Sequence, residues 1–123
     1  MNIVSLFAGC GGLDLGFENV GLNIVWANEF DKTIQDTYKL NHPNTILNTN
    51  DIRSLTGADI PDCDGIIGGP PCQAWSEGGK RLGINDTRGH LFLDYIRIVR
   101  DKSLSSFLLR MYKVFLMKYI KNH

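Results

Sequence analysis

The stretch that decides the fold is residues 2–13, Asn-Ile-Val-Ser-Leu-Phe-Ala-Gly-Cys-Gly-Gly-Leu. Its first part, Asn2 to Leu6, is a short apolar run typical of a buried strand. A glycine-rich turn follows at Phe7 to Gly12, and residues 13–20 then predict a short helix that ends at Gly21. The glycines let the backbone approach a ligand closely, although a plain strand–helix turn would use the same residues. The spacing differs from Gly-x-Gly-x-x-Gly, so a dinucleotide is not the favoured ligand.

Strands and helices alternate along most of the chain. Further strands are predicted at 23–27, 45–47 and 65–68, and further helices at 32–40 and 90–99. The strand at Gly65 to Gly68 is continuously apolar, as strands buried in parallel sheets are. The alternation predicts an α/β fold with a doubly wound parallel sheet of four strands over residues 1–101, which is one small domain at most.

A second informative stretch is Gly69-Pro70-Pro71-Cys72-Gln73-Ala74-Trp75-Ser76. The two prolines fix φ and lack a backbone N–H, so we expect a stiff turn to present Cys72. Glycines at 78, 79 and 83 predict a mobile segment after it. A rigidly held thiol at the base of a mobile loop suits a nucleophile, whereas the commoner role of a cysteine is a buried, inert thiol.

Five groups of residues follow one another along the chain. They are Phe7–Leu13, Asn28–Asp31, Asp51–Ile52, Gly69–Ser76, and Asp86–Gly89 with Leu91–Phe92. In this order and spacing they resemble the N-terminal part of the cytosine-5 DNA methyltransferases, over about residues 2–100. The resemblance implies an incomplete Rossmann-like methyltransferase sheet, S-adenosylmethionine as the methyl donor, and a DNA (cytosine-5-)-methyltransferase of a bacterial restriction–modification system.

The resemblance also implies a cofactor site. The methionine part is expected near the glycine-rich turn, Glu29 at the ribose hydroxyls, and Phe30 against the adenine. Asp51 is expected at the exocyclic amine, with Ile52 packed beside it. Glu29 and Asp51 would serve equally as loop acids or N-cap residues, and Phe30 as ordinary core, so these alternatives stay open. The predicted set is Phe7, Ala8, Gly9, Gly11, Gly12, Leu13, Glu29, Phe30, Asp51, Ile52, Pro71 and Leu91.

Catalysis, on the same resemblance, depends on Cys72. Its thiolate would add to C6 of a cytosine flipped out of double-stranded DNA, which makes C5 nucleophilic enough to accept the methyl group. Gln73 and Ser76 are expected near the displaced base and the DNA backbone. Arg88 is counted with this catalytic set, although a structural role before the last helix would explain it as well.

Composition limits the remaining functions. The formal net charge is zero, so the chain has no general electrostatic attraction to DNA, although a local patch would suffice. Three cysteines, at 10, 63 and 72, lack metal-ligand spacing and fit a reducing cytoplasm better than a disulfide framework. No apolar run approaches the ~20 residues that span a membrane. The histidines show no spacing for a metal site.

Residues 102–123 form an atypical tail. Its apolar residues have poor periodicity, and the Glu-Asn-Val motif that the resemblance implies here is missing. Leu109 to Tyr112 can be encoded so that the same bases, read one nucleotide earlier, give Glu-Asn-Val. One hypothesis is therefore that a slip near Lys102 displaced the motif into another reading frame. An AGG or CGN codon at Arg110 would rule the hypothesis out.

The missing motif bears on activity. Its glutamate, the region that reads DNA bases and the segment that completes the cofactor pocket are not found in this sequence. We therefore expect little or no activity, and marginal stability, for the chain by itself. Two alternatives stay open. The chain is one subunit of a split methyltransferase whose second polypeptide supplies the missing motifs, or it is an inactive cofactor- or DNA-binding remnant.

Overall fold

The computed structural model describes residues 1–71, 87–102 and 107–109, with residues 87, 88 and 107–109 described by their backbone alone. The strands and helices alternate as the sequence predicts, with boundaries within three residues of those expected. Two short 3₁₀ turns, Ile52–Ser54 and Gly57–Asp59, precede the fourth strand. The elements are β1 Asn2–Leu6, α1 Gly12–Asn19, β2 Asn23–Asn28, α2 Lys32–Asn41, β3 Ile46–Asn48, β4 Gly65–Gly68, α3 Thr87–Asp101 and β5 Phe107–Leu109.

The strands form one parallel sheet in the order β3-β2-β1-β4-β5. This order confirms the predicted doubly wound α/β fold. The four strands predicted within residues 1–101 are all present, and a fifth, Phe107–Leu109, inside the tail that we expected to be atypical, pairs in parallel with β4. The chain moves outward from β1 to β3 and then crosses back to β4 on the other side of β1. The order therefore reverses beside β1, and ligands of such sheets bind at this reversal, outside the carboxyl ends of the strands.

Alternating side chains of β1 are buried on the two faces of the sheet. Val4 and Leu6 belong to the larger core, where they pack with Tyr95 and Ile98 of α3. Ile3 belongs to a smaller cluster with Ile24 and Ile67, and α1 contributes partly buried residues to it. Both faces are thus covered, which explains the nearly continuous apolar strands.

Local signals define the ends of the first two helices. Gly11, with φ of 87°, immediately precedes α1, and Gly21, with φ of 89°, follows its C-terminal end. Asp31 caps α2 by accepting a hydrogen bond from the backbone N–H of Thr33 at 2.9 Å. These caps fix the directions in which the two helices leave the sheet. In the part of the chain that the structure describes, no helix has the length and apolar character needed to cross a membrane.

Candidate functional site

A cavity of about 700 Å³ opens at the carboxyl ends of the strands. It lies where the strand order reverses, and its size is within the range of small-molecule sites. Eight of the twelve residues predicted for a cofactor line it: Phe7, Gly9, Glu29, Phe30, Asp51, Ile52, Pro71 and Leu91. The other four, Ala8, Gly11, Gly12 and Leu13, do not line it and belong to the turn and helix start behind its wall.

The glycine-rich turn forms one wall in a left-handed backbone conformation. Phe7, Gly9 and Gly11 all have positive φ, at 53°, 61° and 87°. This conformation is ordinary for glycine but uncommon for phenylalanine. The backbone N–H of Ala8 donates to the carbonyl of Asn28 at 3.1 Å, which ties the turn to the end of β2. The turn is therefore held in shape by the strand next to it.

A buried polar cluster lies beneath the turn. The Asp14 carboxylate, in the first turn of α1, is fully buried. It accepts hydrogen bonds from Ser5 Oγ at 2.7 Å and from Tyr38 Oη at 2.5 Å. Burial and the hydrogen bond with Asp14 raise the pKa of Tyr38 strongly, so Tyr38 remains a neutral donor. This cluster joins β1, α1 and α2 at one point.

His42 supports the same wall from the C-terminal end of α2. Its buried ring stacks on Tyr38 with centroids 4.8 Å apart. Its Nε2 lies 2.9 Å from the carbonyl oxygen of Gly11 and its Nδ1 lies 3.1 Å from the carboxylate of Glu18. A Cβ on Gly11 would fall 2.2 Å from His42 Nε2, so glycine is required there for space as well as for φ. The sequence indicated only that the histidines lack the spacing of a metal site, and the buried contacts of His42 give it a structural role.

Glu29 connects two sides of the cavity. One carboxylate oxygen accepts from the backbone N–H of Gly9 at 2.7 Å, and the other accepts from the N–H of Asp31 at 2.9 Å. Glu29 therefore has the local structural role that the sequence left open. Each oxygen has a second lone pair, so the same carboxylate retains capacity to accept from a ligand hydroxyl.

Apolar side chains form a second part of the lining. Phe30 is 55% exposed, which is unusual for a large aromatic residue and leaves its ring available to a ligand. Ile52 is buried, while Leu91 and Pro71 are half-buried. The alternative of Phe30 as ordinary core is therefore not what the structure shows.

Asp51 begins the short turn Ile52–Ser54 on the opposite wall. It caps the turn by accepting from the backbone N–H of Arg53 at 2.9 Å. The Arg53 side chain also donates to both oxygens of this carboxylate, with Nε 3.0 Å from each. The hydrogen bonds from Arg53 hold the pKa of Asp51 below its ordinary value, so the carboxylate is charged and acts only as an acceptor.

The sequence did not identify four further lining residues: Asn28, Asp31, Arg53 and Gly69. Asn28 is buried, and its side-chain amide donates to Asn48 Oδ1 at 2.9 Å and to the carbonyl of Asn50 at 2.8 Å. Asn28 and Gly69 lie at the ends of β2 and β4, so the rule that ligands bind at the carboxyl ends of parallel strands was the signal that could have found them.

The predicted catalytic residues Cys72, Gln73 and Ser76 lie outside the described residues, and Arg88 is described by its backbone alone, in the first turn of α3. Two other cysteines are described. Cys10 is an exposed free thiol in the glycine-rich turn. Cys63 is partly buried, and this burial raises the pKa of its thiol. Among the described residues, no group of three or more His, Cys, Asp or Glu side chains could hold a metal ion.

Comparison with known proteins identifies the family. The family model for the C-5 cytosine-specific DNA methylases matches residues 1–110. The chain is 60% identical over 109 residues to the Type II methyltransferase M.NgoPII of Neisseria gonorrhoeae, covering 88% of this chain and 32% of the relative. It is 56% identical over 101 residues to M.FnuDI of Fusobacterium nucleatum, covering 82% of this chain and 29% of the relative.

The fold agrees with solved structures of the same kind. The DNMT2 methyltransferase of Spodoptera frugiperda superposes with a TM-score of 0.75 and 31% sequence identity, over 98% of this chain and 38% of that one. The chain thus spans about a third of the length of the curated relatives that it matches, at their N-terminal part. The family model covers most of the chain, and the chain therefore belongs to the C-5 cytosine-specific DNA methylases.

Proposed function

We propose that the cavity binds S-adenosylmethionine and that the chain forms the cofactor-binding part of a DNA (cytosine-5-)-methyltransferase. The observation that carries this proposal is the combination of the exposed ring of Phe30, the carboxylates of Glu29 and Asp51 and a left-handed glycine turn around one cavity of about 700 Å³. These acceptors, the aromatic ring and the open backbone of the turn fit a ligand with an apolar ring, hydroxyl groups and a charged amino-acid end. Bound there, S-adenosylmethionine supplies an electrophilic methyl group.

The lining residues divide the cavity by chemistry. Phe30 and Leu91 provide apolar surface for the adenine, and the charged Asp51 carboxylate accepts from its exocyclic amine. Glu29 accepts from the ribose hydroxyls while it continues to hold Gly9 and Asp31. The methionine end lies at the turn around Gly9, where a Cβ would meet nothing within 4 Å and the backbone is open to a ligand.

Cys72 supplies the nucleophile in this proposal. Pro71, its immediate neighbour in sequence, lines the cavity. The Cys72 thiolate would add to C6 of a cytosine flipped out of double-stranded DNA, and the C5=C6 electron pair would shift to C5. C5 would then take the methyl group as the methyl–sulfur bond breaks, with that bond's electron pair left on the sulfur of S-adenosylhomocysteine. Loss of the C5 proton to a base then expels the thiolate and restores the aromatic ring. Gln73, Ser76 and Arg88 are proposed to hold the base and the DNA around it.

The proposed reaction needs more than the segment that matches the family here, because the curated relatives are about three times as long. The remaining motifs are supplied either by continuation of the chain or by a second polypeptide. This proposal places the reaction in the cytoplasm, where the DNA of a restriction–modification system lies.

Complementation tests the reaction. The chain is mixed with a polypeptide that comprises the part of M.NgoPII beyond the matched segment, S-adenosylmethionine, and duplex DNA with 5-fluorocytosine at the target position. Because fluorine at C5 cannot leave as a proton does, the thiolate cannot be expelled and a covalent adduct accumulates. We expect the adduct on a denaturing gel with the native chain and none with Cys72→Ser.

The N-terminal part of M.NgoPII serves as the positive control for the mixture. If that part forms the adduct with the same polypeptide and this chain does not, the proposed activity is wrong. An adduct that persists in Cys72→Ser would show that a different residue is the nucleophile.

A further inference from the structure

Arg97, in the third turn of α3, connects this helix to the far wall of the cavity. Its Nη1 donates to the carbonyl of Leu55 at 2.7 Å, and its Nη2 donates to the carbonyl of Ile52 at 3.0 Å. Asp94, one helical turn earlier, accepts from Nε at 3.2 Å and from Nη2 at 3.1 Å. The guanidinium is therefore fully oriented, with one edge on the helix and one edge on the turn.

The bound carbonyls belong to the turn that carries Asp51. Asp51 caps the N-terminal end of the Ile52–Ser54 turn, and Arg97 binds the carbonyl of its first residue, Ile52, and that of the residue after it, Leu55. Asp51, Ile52 and Arg53 line the cavity, whereas Arg97 does not. Arg97 thus contacts no ligand position and acts on the cavity through the turn.

We propose that Arg97 is a positioning residue that sets the direction of the Asp51 carboxylate and thereby the preference of the cavity for adenine over related purines. This inference rests on the proposed function. A carboxylate discriminates an exocyclic amine from a carbonyl oxygen only when it lies in line with that group, because hydrogen bonds weaken steeply with angle. Ile52 and Leu55 anchor the turn in the hydrophobic core. The two hydrogen bonds from the Arg97 guanidinium then fix the orientation of the turn relative to the cavity.

Lys102, which directly follows α3, provides a matched control. Its Nζ donates to the carbonyl of Ile60 at 2.9 Å and lies 3.4 Å from the carbonyl of Gly57. It binds the second 3₁₀ turn much as Arg97 binds the first, but Gly57–Asp59 does not line the cavity. A general loss of stability is expected from a change at either cation, whereas a change in purine preference is expected only from Arg97.

The experiment compares the full chain with its Arg97→Met and Lys102→Met variants. S-adenosylhomocysteine and S-inosylhomocysteine are the probes, and their dissociation constants are measured by titration calorimetry. The second probe has a carbonyl oxygen where the first has the exocyclic amine. Both probes bind only folded molecules, so partial unfolding weakens both apparent affinities by the same factor. The ratio of the two dissociation constants is therefore independent of stability.

We expect the native chain to bind the adenosyl compound at least about tenfold more tightly than the inosyl compound, since an oxygen facing Asp51 replaces a donor. Arg97→Met should reduce this preference to about threefold or less, Lys102→Met should retain it, and Arg97→Lys should restore part of it. An unchanged preference in Arg97→Met overturns the inference and leaves the proposed cofactor site standing. If the native chain binds neither probe, both the inference and the proposed cofactor site are wrong.

Discussion

The two walls of the cavity are supported in opposite ways. The glycine-rich turn rests on buried groups, since Asp14 and Tyr38 are fully buried and the His42 side chain is enclosed. The turn at residues 51–55 is also anchored in the core by Ile52 and Leu55, but its side-chain hydrogen bonds come from groups that reach solvent, since Arg53 is 63% exposed and Arg97 is 29% exposed. The first support is part of the core and contributes mainly to stability, whereas the second is solvated and contributes mainly to the shape of the site.

The largest effect is expected from Gly11→Ala in the buried wall. The new Cβ would lie 2.2 Å from His42 Nε2, and φ of 87° is strained for alanine. These costs together are about 2–5 kcal/mol of the free energy of unfolding. Urea denaturation followed by circular dichroism measures the loss.

Gly16→Ala is the matched control for Gly11→Ala. Gly16 lies within α1, where a Cβ would meet nothing within 4 Å. Alanine should therefore stabilise the chain by about 0.5–1 kcal/mol through helix propensity. If Gly11→Ala is as stable as the native chain, the close packing of the turn against His42 is not a constraint.

The second effect is expected from Tyr38→Phe, which removes one hydroxyl from the buried cluster. Among the described residues, Asp14 would then keep only Ser5 as a side-chain donor, in a site that is fully buried. Leaving a buried acceptor short of a donor costs about 1–3 kcal/mol of the free energy of unfolding. The midpoint of urea denaturation should fall accordingly.

Ser5→Ala provides the comparison for Tyr38→Phe, because it removes the other donor to the same carboxylate. The double variant should lose more stability than the sum of the single variants, since Asp14 then loses both side-chain donors that the described part of the chain provides. Strict additivity would contradict the view that the three residues act as one unit.

The smallest effect is expected from Arg53→Met in the solvated wall. Without the hydrogen bonds from the Arg53 side chain, the pKa of Asp51 should rise toward its ordinary value of about 3.9. A carboxylate with a lowered pKa stabilises the folded state above its ordinary pKa, and this contribution is lost as the pH falls through the lowered value. At this exposed site the contribution is under about 1 kcal/mol.

Carbon-detected NMR titration of the Asp51 carboxyl measures this shift directly. Asp31 is the internal control, because hydrogen bonds from Thr33, not from Arg53, lower its pKa. A pKa of Asp51 that stays unchanged in Arg53→Met would show that the backbone N–H at residue 53 is sufficient.

The sequence predicted the strands and helices well because their signals are local. Each predicted strand is an apolar run next to glycine or asparagine, and α2 begins at an Asp cap and ends before Pro43. The cluster of Ser5, Asp14 and Tyr38 was not predicted, because it joins three separate elements and no sequence spacing marks it. The role of Arg97 was not predicted for the same reason, as the two carbonyls that it binds, those of Ile52 and Leu55, lie more than forty residues away in the sequence.

The fifth strand was missed because its residues lie in a tail with no contrast between apolar and polar positions. The family match extends to residue 110, past the expected boundary at Asp101. If the reading frame changed, these two findings indicate that the change lies at the codons of Leu109 and Arg110 and not near Lys102. The nucleotides of the gene there test the hypothesis.

The parallel order of the sheet has a consequence for how the chain folds. Asn2 pairs with Asn23, and Ile3 pairs with Gly65, so each pairing must close a long loop before it gains any contact. No hairpin is available among the described strands to start the process, which predicts slow folding. The cavity is complete only when these distant segments have come together, and a ligand that binds it would therefore stabilise the fold of the whole domain.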